Sequence, residues 1–330
     1  MALDWLQRIK PSKGEYLVEL AAMVYTVLTS CMIFLQYDKM DHPLQMLLER
    51  LGIVVVTIVL VFIYKWYPCK VTAFMRVGFQ LALLSYWYPD TYEFNRLYPN
   101  LDHLFAEAEQ TLFGCQPAYW FARTFPQMWI SEPMNLGYVA YFPMIAVITC
   151  WYFVKHFEHF EKIGFVLTVS FFIYYIIYDL LPVVGPQFYF PAIGEENVVA
   201  GVFPAVGDYF NFHSELLPYT QQGHGFFYHL VELSHEAGEM PTAAFPSSHV
   251  GVSTIIMLLG WRSSKRLTLI LLPFYILLCI STVYIQAHYI IDVLAGWLSG
   301  YLLYIFSSWA FRRLTISPVR GDSSQTGVKR

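Results

Sequence analysis

Apolar stretches long enough to cross a bilayer alternate with short charged connectors along almost the whole chain. They occupy residues 16–36, 51–66, 74–88, 134–154, 164–181, 249–261, 267–284 and 289–309. A helix needs roughly 20 residues to cross about 30 Å of hydrocarbon, so the short run from His249 is expected to begin upstream, near Ala243. Open backbone is not tolerated in lipid and period-2 alternation is weak, so helices rather than a barrel are predicted. The fold class read from this pattern is all-α: a polytopic membrane helical bundle of eight spans.

Composition agrees. Only 13% of the 330 residues are charged against 57% hydrophobic, whereas a soluble domain carries about a quarter charged. Asp4, Lys10, Lys13 and Glu15 precede a full-length span with no small-residue cleavage site after it, so no cleavable signal is expected. With the N-terminus inside, only Lys39, Arg50, Arg96 and Arg123 of the 20 Lys and Arg fall outside, the bias of a cytoplasm-positive protein. Both termini are then cytoplasmic. Cys31, Cys69, Cys115, Cys150 and Cys279 show no paired spacing, which argues against a disulfide framework. The long outer segments, 89–133 and 183–245, suit either interfacial anchoring or a lid.

Two segments bring ionisable groups to the edge of apolar runs: Pro246-Ser247-Ser248-His249 and His288-Tyr289-Ile290-Ile291-Asp292. Such groups are costly near hydrocarbon and point to function. His288 and Asp292 stand four apart at a helix start and share a face. A carboxylate on one imidazole nitrogen fixes the tautomer and leaves the other nitrogen nucleophilic. Ser247 and Ser248 open the helix entered by His249, where N–H groups and hydroxyls suit an anion and equally suit capping. Together these parts fit phosphoryl transfer through a phosphohistidine: an oriented histidine, a second to protonate the leaving oxygen, and an anion cradle. On the expected topology both histidines face outward, toward the outside or periplasm.

Pro246-Ser-Ser-His249 followed by Ser281…His288…Asp292 resembles the last two signatures of the type-2 phosphatidic acid phosphatase superfamily, written P-S-G-H and S-R-x5-H-x3-D. The resemblance implies a catalytic membrane core of six helices at 69–311, two N-terminal helices within 1–68 and a polar cytoplasmic tail at 312–330. It implies His249 as general acid, His288 as nucleophile and Asp292 as its orienting partner, with no metal and no cofactor. Thr282 stands where the third signature has arginine. The first signature, K-x6-R-P, is replaced by Asp179-Leu-Leu-Pro182-Val-Val-Gly185-Pro186-Gln187, in which Gln187 is a neutral donor. A phosphodiester, with one negative charge, needs fewer cations than a monoester dianion.

Ser281-Thr282-Val283-Tyr284…His288-Tyr289…Asp292 is similar to inositol phosphorylceramide synthases, and His288-Tyr-Ile-Ile-Asp292-Val293 to sphingomyelin synthases. Those families move a phospho-headgroup from a glycerophospholipid to ceramide. The Cys-Gly-Asp of the latter is absent, and Ala287 replaces their usual second histidine. The resulting expectation is a lipid phosphotransferase with a glycerophospholipid donor, a ceramide-like acceptor and no nucleic-acid partner. A lipid phosphate phosphatase would use the same residues with water as acceptor; a non-catalytic lipid carrier is the alternative from another class.

Ser247, Ser248, Gln187 and Asp179 are the candidate substrate-binding residues, Asp179 being equally suited to a bond with a neighbouring helix. His229…Glu232…His235-Glu236…Glu239 lacks the second histidine of H-E-x-x-H and reads as a solvated helix face. Arg96 and Arg123 are outer cations better suited to pairing with nearby acids.

Overall fold

The computed structural model describes residues 5–10, 14–214, 216, 225–236 and 238–316. The expected tail beyond 316 lies outside them. Among the described residues the fold is helical, with one isolated bridge between Arg8 and Cys69. In chain order the helices are α1 (Leu17–Leu35), α2 (Pro43–Trp66), α3 (Lys70–Ala82), α4 (Leu84–Asn95), α5 (Asp102–Phe113), α6 (Pro117–Thr124), α7 (Met128–Val139), α8 (Tyr141–Lys155), α9 (Phe160–Leu180), α10 (Pro186–Ile193), α11 (Glu195–Ala200), α12 (Phe226–Glu236), α13 (Ser248–Ser263), α14 (Lys265–Tyr284) and α15 (Ile290–Thr315).

Five of these, α1, α2, α9 with its preceding turn, α14 and α15, are long and apolar enough to cross a membrane. The pair α7–α8 makes a sixth, bent by 45°. The chain is an integral membrane protein. Helix α9 is the central element: 72% of its most apolar window is buried, against 22% for α2, whose remaining surface is left to lipid.

Three expected spans differ from their apolar runs. The third breaks at Leu83, after which α4 continues through Pro89 to Asn95, so the outer connector starts later than residue 89. The fourth bends at Ala140, where Pro143 leaves the Val139 carbonyl without its intrahelical donor. The sixth does not begin near Ala243. Pro246 offers no N–H, and Ser247 caps α13 by accepting from Val250 N at 3.4 Å. Residues 243–246 are non-helical, and Ala244 N donates instead to Val183 O at 3.0 Å.

Buried ion pairs join the first helices to the rest. Arg76 of α3 pairs with Glu19 of α1 at 2.5 Å and with Glu161 of α9, and Arg50 of α2 pairs with Asp90 of α4 at 2.6 Å. Losing one partner would strand a buried charge, so these contacts fix the register of the helices they join.

Helices α13 and α15 carry the two histidine segments and approach closely through glycine. A Cβ on Gly296 would stand 2.7 Å from the Ser247 carbonyl oxygen, and one on Gly300 would overlap the backbone of Gly251. Side chains there would force the two helices apart.

Candidate active site

The starts of α13 and α15 converge. Ser247 N donates to the carbonyl oxygen of Asp292 at 3.1 Å, a main-chain link between the two segments. The rings of His249 and His288 lie edge to face with centroids 5.7 Å apart. A phosphorus atom about 3–3.5 Å from a nitrogen of one ring would remain within reach of the other. Tyr138 and Tyr141 hold the His249 ring, with centroids 4.8 and 4.4 Å away.

His288 is oriented differently from the expectation. Its Nδ1 is 2.8 Å from the Ala244 carbonyl oxygen and 3.6 Å from Asp292 Oδ2. Asp292 Oδ2 accepts from Tyr289 N at 2.8 Å, closing the first turn of α15. A carbonyl only accepts, so Nδ1 carries the hydrogen and Nε2 keeps its lone pair. Asp292 thus stands beside the ring without taking its Nδ1 hydrogen, and the Ala244 carbonyl sets the tautomer. Burial pushes the His288 pKa down to about 4, against the opposing pull of the Ala244 carbonyl and Glu239, so the ring is neutral at pH 7.

The expected cradle of backbone N–H groups is not free. Ser248 N donates to Tyr178 Oη at 3.0 Å, Gly251 N to Ser247 O at 2.9 Å and Val250 N to the Ser247 hydroxyl. Buried N–H groups must find partners, and these are held by the fold. Ser247 is wholly buried as a cap, whereas Ser248 reaches the cavity beside His249. Tyr178 of α9 fixes this turn from both ends, its hydroxyl also donating to Pro246 O at 2.7 Å.

Of the other candidates, Gln187 is at the site and Asp179 faces away from it. Gln187 Nε2 donates to Glu239 Oε1 at 2.9 Å, and Gln187 N donates to Gln286 O, two residues before His288. Asp179 is buried in the electrostatic surroundings of Asp90 and Arg50, on the α2–α4 side of α9. Arg96 pairs with Asp41 and Glu93, and Arg123 with Glu195, so these cations are engaged elsewhere.

A cavity of about 630 Å³ runs from Ser248, His249 and Glu239 between α3–α4 and α7–α8 to Phe74 and Cys150. From Tyr88 to Phe74 it follows roughly 20 Å of helix. Its walls are mostly apolar, and exposed Phe142 (59%) lies along its side. His249 is in the wall; His288, 3% exposed, sits behind it.

Three carboxylates that pattern reading did not bring to the site are found there. Glu239, expected on a solvated face, lines the cavity and accepts from Tyr88 Oη at 3.1 Å. Asp102, at the start of α5, accepts from Val184 N (2.7 Å), Gly185 N (2.8 Å), Asn100 Nδ2 (2.7 Å) and Tyr289 Oη (3.1 Å). It ties the 184–185 segment to the residue after His288. Glu109, about two turns further along the same face of α5, accepts from Ile290 N and caps α15. Burial, opposed by that backbone bond and aided by the Asp292 charge, pushes its pKa up to about 8. Neither Asp102 nor Glu109 belongs to a local motif, since each meets a segment far along the chain.

A family profile described as PAP2 superfamily matches residues 103–306, which runs from α5 into α15. No curated protein and no solved structure matches the chain.

Proposed function

The chain belongs to the PAP2 superfamily, whose activities are of the lipid phosphatase and phosphotransferase type, and from that premise we propose that it moves a phospho-headgroup from a glycerophospholipid to a ceramide-like lipid alcohol. The branch this reading favours is that of the inositol phosphorylceramide synthases, by the motif likeness around His288 and Asp292. The observation that carries it is the pairing of the His249 and His288 rings, 5.7 Å apart, at the head of an apolar cavity.

In this reading the donor's acyl chains lie in the cavity and its phosphate passes His249 to reach His288. Nε2 of His288 attacks phosphorus and the bond to the diacylglycerol oxygen breaks. His249, which takes up a proton as the anionic phosphate comes beside it, gives that proton to the diacylglycerol oxygen. The headgroup phosphate is then held on His288. His249 next takes the proton of the acceptor hydroxyl, whose oxygen attacks phosphorus as the P–N bond breaks. Both histidines return to their first states. Asp292 and the Ala244 carbonyl stabilise the positive ring that forms during each half-reaction. Among the described residues no lysine or arginine lines the cavity, which suits a phosphodiester donor better than a monoester dianion. The charge pattern of the connectors supports a site on the outer side with both termini cytoplasmic.

The test is a reconstituted protein given a panel of glycerophospholipids with ceramide, with all lipid products resolved. Equal amounts of diacylglycerol and headgroup-bearing ceramide are expected. Inorganic phosphate released from a lipid phosphate monoester, with no ceramide product, would make the protein a phosphatase instead.

A further inference from the structure

The headgroup end of the cavity is built for a positive charge. Glu239 lines it, acts electrostatically on His288, and is held by two neutral donors, Tyr88 Oη at 3.1 Å and Gln187 Nε2 at 2.9 Å. Gln187, 5% exposed, spends its amide N–H on Glu239 and leaves its own Oε1 buried with no partner. The orphaned oxygen belongs to the amide that holds Glu239, so it stands close behind that carboxylate, and a buried orphan acceptor is costly unless a donor reaches it. The walls add aromatic faces from Tyr88 and Tyr138, which attract a cation.

A phosphodiester entering this site brings a negative charge toward Glu239, and among the described residues no lysine or arginine lines the cavity to offset it. A headgroup that carries its own cation removes the conflict; an uncharged polyol or an anionic headgroup does not. The geometry points to Glu239 and Gln187, with Tyr88 and Tyr138, as a binding site for the ammonium of an amine headgroup, ethanolamine or choline, on the donor phospholipid. This deepens the transfer reading above and rests on it. It also departs from the inositol headgroup that the motif likeness alone would favour. A primary ammonium would donate to both Glu239 and Gln187 Oε1, whereas a quaternary one would meet Glu239 and the tyrosine faces only.

The experiment compares phosphatidylethanolamine, phosphatidylcholine, phosphatidylinositol and phosphatidylglycerol as donors, one at a time with ceramide, for the wild type, Glu239→Gln and Glu239→Asp. The wild type is expected to use one or both amine donors at least tenfold better, in kcat/KM, than the inositol and glycerol donors. Glu239→Gln keeps both hydrogen-bond partners, so it should fold; it is expected to lose about tenfold more on amine donors than on the inositol and glycerol donors. Glu239→Asp is expected to recover part of the preference. Wild-type turnover of the inositol donor as fast as the amine donors would overturn the inference, as would an equal fall on all four donors in Glu239→Gln. If no donor yields a ceramide product in the wild type, the transfer reading falls and this inference falls with it; that outcome is distinguished by needing no variant.

Discussion

The backbone N–H of Ser247 donates to the carbonyl oxygen of Asp292 at 3.1 Å, so the two histidine-bearing segments are joined by main chain, not only by their side chains. The bond sits where Gly296 lets α15 pass within contact of the Ser247 carbonyl. The spacing of the His249 and His288 rings is therefore a property of how two helix starts pack. Substitutions that leave both histidines in place can still separate them.

Gly300→Val tests that relationship. A side chain at this position overlaps the Gly251 backbone, and such overpacking costs about 1–3 kcal/mol. Activity is expected to fall by more than the loss of folded protein explains. Turnover per folded molecule, with folding followed by thermal unfolding in detergent, checks it; unchanged turnover would show that the helix spacing is not critical.

Asp292→Asn separates charge from orientation at His288. The amide oxygen can still accept from Tyr289 N, and the Ala244 carbonyl still fixes the tautomer. Only the capacity of the group 3.6 Å from Nδ1 to ionise when the ring becomes positive is lost. A fall in kcat of roughly 10- to 100-fold is expected with the unfolding temperature nearly unchanged. A loss as complete as that of His288→Ala would mean that Asp292, not Ala244, governs the ring.

How far the sequence could be read differs from residue to residue. His249, His288 and Asp292 were legible because each motif is local, with fixed spacing at a helix start. The helical membrane bundle was legible from apolar run lengths. The bend at Ala140 and the late start of α13 depend on proline and a serine cap, which a hydropathy pattern does not weigh. Ala244 could not be found by motif, since it acts through its carbonyl. Asp102 and Glu109 meet partners far along the chain, at 184–185 and 289–290, and local periodicity is blind to such contacts. Glu239 looked like part of a solvated acidic face, but it lies past the end of α12, where Gln187 and Tyr88 hold it at the cavity.

Glu109 should make stability depend on pH. Its folded pKa, about 8, lies above the ordinary carboxylate value of 4.5, so the neutral form is favoured in the fold. The stability it contributes is full below about pH 4.5 and is lost as pH rises through about 8. Wild type is expected to unfold at progressively lower temperature between about pH 4.5 and about 8, levelling off above that. Glu109→Gln, which can still accept from Ile290 N, is expected to flatten that slope. Parallel slopes in the two proteins would remove Glu109 as its source.

The most direct measurement is of the intermediate itself. Protein mixed with a donor phospholipid, quenched in base within a single turnover and digested, is examined by mass spectrometry for the peptide holding His288. The account predicts the donor's phospho-headgroup on His288, lost on addition of ceramide and absent from His288→Ala, which has no transfer activity. Turnover persisting in His288→Ala, or headgroup attached to a different residue, would contradict it.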